Sequence, residues 1–159
     1  MKRKTKILLI AITVMVCLIC LVNAAWLIIQ SGSITGFFAS NNEQVQWNDE
    51  VIGIQQSIFW GRLLTGLIFD ALLIAFMFKS LLALKSGILF PKANALILVV
   101  AAAVNLLYNF CDSNIGIVVE SDRMLVIDDK TLLLPLILTA FSLIYGLAVR
   151  ISEENRLTI

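Results

Sequence analysis

The chain contains no histidine. That removes the commonest general base and the commonest metal ligand together. Charge is scarce as well: only 14% of residues are Asp, Glu, Lys or Arg, and they nearly cancel at +1. No basic stripe with interleaved aromatics occurs, so direct nucleic-acid binding is not expected. A glycine-rich phosphate loop, a nucleophile elbow and a metal-ligand spacing are missing, as are internal repeats and low-complexity linkers. The sequence therefore predicts no enzyme, no metal site and no cofactor.

What the chain does have is apolar length. Of its 159 residues 60% are hydrophobic, against roughly 45–50% in soluble domains. Mean hydropathy is +0.95. The excess is gathered into runs, and a helix needs about 20 mainly apolar residues to cross the hydrocarbon core. Residues 7–29 carry no charge; 62–79, bounded by Arg62 and Lys79, are interrupted between those ends only by Asp70; 93–111 and 131–149 complete the set. Pro135 is placed in the first turn or so of the fourth run, where proline is tolerated. The expectation is one all-α membrane domain, residues 1–159, folded as a four-helix transmembrane bundle in contact with the lipid bilayer.

Charge between the runs is segregated. Lys2, Arg3, Lys4 and Lys6 precede span one; Lys79, Lys85 and Lys92 connect spans two and three; Arg150 and Arg156 follow span four. The other two connections are acidic, with Glu43, Asp49 and Glu50 in one and Asp112, Glu120, Asp122, Asp128 and Asp129 in the other. The positive-inside rule predicts cytoplasmic termini and external acidic loops in a bacterial inner membrane. Trp26 and Trp60 fall near the outer ends of spans one and two, as in an aromatic belt. "VNA" before Ala25 resembles a signal-peptide cleavage site. The apolar stretch before it is longer than an h-region of about 7–15 residues, so an uncleaved anchor is expected.

A small extracytoplasmic cap is expected from the acidic segments. Trp47, Val51, Ile54 and Ile58 recur at spacings of four, three and four, which suits a short amphipathic helix in the interface before span two. That helix serves either as a lead-in to the span or as a lipid or ligand surface. In "IGIVVESDRMLVIDD" two β-branched runs flank "ESDR", which predicts a β-hairpin with a four-residue loop. The carboxylates around it read as solvated charge, with a divalent cation as the alternative; no EF-hand spacing is present.

Each span offers an inward stripe at spacings of four and three, the geometry of a left-handed membrane bundle. Span one offers Thr13, Cys17, Cys20 and Ala24; span two Leu63, Gly66, Asp70, Leu73 and Met77. Span three offers Leu98, Ala102, Asn105, Asn109 and Asp112; span four Pro135, Thr139, Ser142 and Gly146. Most small and polar residues of the spans fall on these stripes. Asp70, Asn105 and Thr139 all lie roughly 10–12 Å below the same boundary at about 1.5 Å per residue. A hydrogen bond from Asp70 to Asn105 is expected, completed by Thr139 or Ser142, with Asn109 on the same seam. An acid at this depth costs about 2.5–3.5 kcal/mol on insertion scales, so it should find partners or take up a proton. Structural glue, a protonation-linked switch and an ion or substrate site all remain open for it.

"CLIC" (Cys17 to Cys20) formally matches C-x-x-C. Thiol exchange needs a thiolate with access to the membrane surface, and this pair lies near mid-membrane, so helix packing is the expected role.

Two further stretches carry a resemblance. "LLALKSGILFPKANALIL" follows span two and "RISEENRLTI" ends the chain. Gly87, Phe90 and Asn94 match a Gly–x–x–Phe motif followed by Asn, while Glu153, Glu154, Leu157, Thr158 and Ile159 match an acidic-acidic-x-x-Leu-Thr-Ile tail. Together with the four-span layout they resemble a bacterial family of small membrane proteins, domain of unknown function 2975. The chain departs from that pattern in lacking a glycine just before the tail and in carrying Asp70. The resemblance implies an uncharacterised membrane protein without enzyme activity, often encoded beside a small helix-turn-helix regulator, which makes a cytoplasmic transcriptional regulator the candidate partner. Docking would fall on Gly87, Phe90, Asn94 and the tail residues, which otherwise read as a hinge and a solvated end. The expected function is thus a membrane sensor or sequestering partner; the alternative is a small transporter or proton-responsive protein centred on Asp70.

Overall fold

The computed structural model describes residues 3–36, 45, 47–88, 90–120 and 124–157. Five helices follow in order: α1 (Arg3–Ile34), α2 (Ile52–Lys85), α3 (Lys92–Ser113), α4 (Gly116–Val119) and α5 (Asp129–Leu157). Four of them are long and apolar enough to cross a membrane, the mark of a multi-pass membrane protein. At about 1.5 Å per residue the 34 residues of α2 extend roughly 50 Å, well beyond a hydrocarbon core of about 30 Å. That surplus length is where the structure departs most from expectation.

The separate amphipathic helix does not form. Residues from Ile52 onward run without a break into span two as the first turns of α2. Nor are the four residues of the expected stripe buried together: Trp47 and Ile54 are exposed and Ile58 is buried. The buried face here is Gln55, Ile58, Phe59 and Arg62 instead. A helix already anchored by a span propagates more readily than a new one nucleates, which favours one long element.

The β-hairpin is absent too. Among the described residues there is no strand; Ile117 and Val118 sit in α4 and are buried beside Ile58, Phe59 and Cys111. Residues 121–123 of the expected loop lie outside the described residues. The segment 124–128 has no backbone strand partner and uses a side chain. Asn114 Nδ2 donates to the Val126 carbonyl at 2.8 Å, and Val126 N–H donates to Asn114 Oδ1 at 2.7 Å. One buried amide thus satisfies both backbone groups that a neighbouring strand would have paired.

The basic end is tighter. Gly87 takes φ +74° and closes α2: its N–H reaches the Leu84 carbonyl and the Ile88 N–H the Ala83 carbonyl, the two bonds of a Schellman turn. Lys92 opens α3 a few residues later. Pro135 stands six residues after Asp129, in the second turn of α5 rather than its first.

The long helices stand side by side in chain order. α1 packs on α2, α2 on α3 and α3 on α5, with no interface of similar extent between α1 and α5. The ring expected of a closed bundle is therefore left open at that side. α1 turns most of its surface outward, with Leu18, Ile19 and Val22 exposed, and buries Thr13, Cys20 and Leu27 at intervals of seven. Such a narrow heptad seam is what a helix with a single neighbour needs.

Candidate functional site

Among the described residues, the seam between α1 and α2 holds the only buried acid. Asp70 is 6% exposed. Asn23 Nδ2 donates to its Oδ2 at 2.9 Å, and the Cys20 thiol lies beside the same carboxylate. Cys20 and Asn23 are three residues apart on α1 and so project from one face. Leucine 27, one turn farther, meets Tyr108 of α3 over Gly66 of α2. A methyl group added at Gly66 would lie 2.6 Å from Leu27 Cδ1 and 3.0 Å from Tyr108 Cε2. Leu27 of α1 and Tyr108 of α3 thus both crowd Gly66, one turn from Asp70 on α2, and a side chain there would have to push them aside.

Two turns nearer the acidic end a second bridge repeats the pattern. Arg62, 7% exposed, donates through Nε to Asp112 Oδ1 at 2.5 Å and through a terminal nitrogen to Gln30 Oε1 at 2.6 Å. One guanidinium links α1, α2 and α3 at a single level. Gln30 lies seven residues after Asn23, and Arg62 eight before Asp70. The two bridges thus mark matching depths on an antiparallel pair. Because Arg62 is committed to Asp112 and Gln30, it is not the counter-ion of Asp70.

The expected partners of Asp70 lie elsewhere. Asn105 is buried on α3 and accepts from Asn109 Nδ2 at 3.1 Å; the same Asn109 nitrogen reaches the Lys130 carbonyl of α5 at 3.4 Å. Ser142 is buried but donates to the Ala95 carbonyl at 3.2 Å. Thr139 is exposed and turns back onto the Pro135 carbonyl at 2.8 Å. These residues stitch α3 to α5, or a helix to itself, while Asp70 faces α1. The facing expected of Asp70 is thus corrected: its partner is on α1, not α3. Asn23 was the missed residue, and its signal was a lone amide two turns from Gln30 on the span preceding Asp70.

Beyond the spans, α5 begins with a built cap. Thr131 donates through both hydroxyl and backbone N–H to Asp128 Oδ1, at 2.7 and 2.9 Å, and Ser113 Oγ lies 3.2 Å from it. The Thr131 hydroxyl bond leads in holding the Asp128 carboxyl below its ordinary range, since each donor favours the charged form.

At the basic end the residues expected to dock are mostly engaged internally. Asn94 is fully buried, donating to Ser80 Oγ at 2.7 Å and to the Phe76 carbonyl at 3.4 Å, so it offers nothing to a partner. Its Oδ1 is unpartnered, with the Tyr145 hydroxyl beside it but not closing a hydrogen bond. Phe90 is 38% exposed and meets the edge of Tyr145 at 5.5 Å. Glu153 pairs with Lys92 at 2.9 Å, Glu154 is exposed, and Leu157 ends α5. Thr158 and Ile159 lie outside the described residues. No family model, curated protein or solved structure matches this chain.

Proposed function

We propose that this chain is a non-enzymatic, proton-responsive protein of the bacterial inner membrane, in which Asp70 is the responding group. One observation carries the reading: a carboxylate buried among membrane spans whose nearest polar partners are the neutral Asn23 amide and the Cys20 thiol. The nearest arginine on its own helix is bound to other groups. An amide donor serves a carboxylate and a carboxylic acid alike, so either state of Asp70 can be housed without unfolding the seam. Intramembrane carboxylates of this kind are functional candidates by default. The segregation of basic and acidic connections supports an orientation with both termini in the cytoplasm.

Infrared spectra of the reconstituted protein across a pH series provide the test. A protonated-carboxyl band that titrates in the parent and vanishes in Asp70→Asn is expected. A parent spectrum without such a band, or one unchanged in the variant, would assign Asp70 to packing alone.

A second reading places a cytoplasmic regulator at the basic end. The observation favouring it is that α5 continues as helix to Leu157, presenting Glu154 on an ordered surface rather than a frayed tail. The motif resemblance noted above supports the same partner. Membranes carrying the full chain or one ending at Arg150 would be solubilised and the bound proteins identified. A DNA-binding protein lost with the tail supports this reading; an identical set of partners removes it.

A further inference from the structure

Between α3 and α5 at the basic end lies an open cleft of about 320 Å³ lined by Lys92, Ala95, Gly146, Val149, Arg150 and Glu153. Its floor is small and apolar. Gly146 leaves open space, since a methyl group added there would meet no atom within 4 Å. Its rim is charged, with two cations against one carboxylate. Lys92 and Glu153 pair at 2.9 Å, but their side chains are 72% and 47% exposed, and such a pair exchanges readily with another anion. Arg150 has no hydrogen-bond or ion-pair partner among the described residues.

We infer that this cleft binds the headgroup of an anionic phospholipid. The position argues for lipid over a soluble anion: the cleft opens between two membrane-crossing helices at the end of their apolar stretch, where phosphates of the bilayer lie. The charge argues for an anionic lipid over a zwitterionic one, because the rim carries one positive charge in excess. The shape argues for a seated lipid rather than general attraction. Arg150 presents a planar fork suited to a phosphate, Lys92 supplies a second donor, and Gly146 with Ala95 makes room for the glycerol and the first methylenes. A lysine at the same end but outside the cleft, Lys85, shares the electrostatics without the pocket.

The experiment places the full-length protein in nanodiscs of mixed phosphatidylglycerol and phosphatidylcholine and counts retained lipids by native mass spectrometry. The parent should enrich phosphatidylglycerol, and inorganic phosphate should not displace it. Arg150→Gln should lower the enrichment about tenfold, as loss of one hydrogen bond to a charged headgroup seated in the cleft would. Lys85→Gln should leave it nearly unchanged. Gly146→Leu is the decisive variant, because it fills the cleft, keeps every charge, and has room for its side chain. Loss of enrichment in Gly146→Leu, with thermal stability retained, establishes a seated lipid. Parent-like enrichment in that variant, an equal loss in Lys85→Gln, or displacement by inorganic phosphate overturns the assignment.

Discussion

The Asn23 amide donates to the Asp70 carboxylate across 2.9 Å, tying the first span to the second two turns from the Gln30–Arg62 bridge. The pair is local to two helices, so its strength can be isolated. A double-mutant cycle of Asn23→Ala and Asp70→Ala, followed by unfolding in bicelles, should give a coupling of about 0.6 kcal/mol and no more than about 1.7. Asp70→Asn should keep much of the stability, while Asp70→Leu strands the Asn23 amide in an apolar seam. A coupling of zero would mean that the two groups do not meet in the folded protein.

Arg62 holds two partners from different helices with different nitrogens. Arg62→Ala should destabilise the protein by about 2 kcal/mol, in the range of hydrogen bonds to charged groups. Arg62→Lys should recover little of it, because a compact ammonium does not reproduce a forked guanidinium. Full recovery by lysine would show that charge alone suffices at this level.

Gly66 and Gly146 make a matched contrast. Gly66→Ala drives a methyl into Leu27 and Tyr108 and should cost about 1–3 kcal/mol, the range for overpacked cores. Gly146→Ala meets open space and should gain stability by as much as about 1 kcal/mol through helix propensity. Equal effects at both sites would contradict the packing described at Gly66.

Asp128 gives the fold a pH dependence of known sign. Its carboxyl is held below 3.8, chiefly by the Thr131 hydroxyl. A depressed folded value means that the cap's stabilisation is complete above the unfolded value near 4 and is lost as pH falls through the lower folded value. Protection factors in the first turn of α5, with the intrinsic pH dependence of exchange divided out, should therefore fall on acidification below about pH 4. Asp128→Asn, an equally good cap, should abolish that dependence while leaving exchange at neutral pH unchanged. An unaltered acid response in Asp128→Asn would place the titrating group elsewhere.

The four apolar runs were legible because stretches of that length with at most one charge inside them have one physical use. Many inward stripes were legible too: Thr13, Cys20, Gly66, Asp70, Met77, Leu98, Ala102, Asn105, Pro135 and Ser142 are all buried. What could not be read was which stripe each one meets. Rise per residue sets depth, but facing depends on helix order and rotation, and the open row turned Asp70 toward α1 instead of α3. Local propensity misled at the acidic end for a different reason. The β-branched residues Ile117 and Val118 favour a strand in isolation, yet burial against Ile58 and Phe59 outweighs that preference. The Asn114–Val126 clamp then removes the need for a second strand. Gln55 shows the same hidden logic, fully buried and donating to the Ile117 carbonyl from a helix expected to lie in the interface.

The pairing of Asp70 with the first span also bears on how the chain is made. A ribosome delivers α1 before α2 and α2 before α3. Asn23 precedes Asp70 into the bilayer, whereas Asn105 follows 35 residues behind it, still inside the ribosome and translocon when Asp70 arrives. A carboxyl group whose partner came later would stand bare in the bilayer for the interval. By taking its amide from the helix upstream, the protein shelters Asp70 at the moment of arrival, and the order of the genetic message becomes part of the solvation of a single side chain.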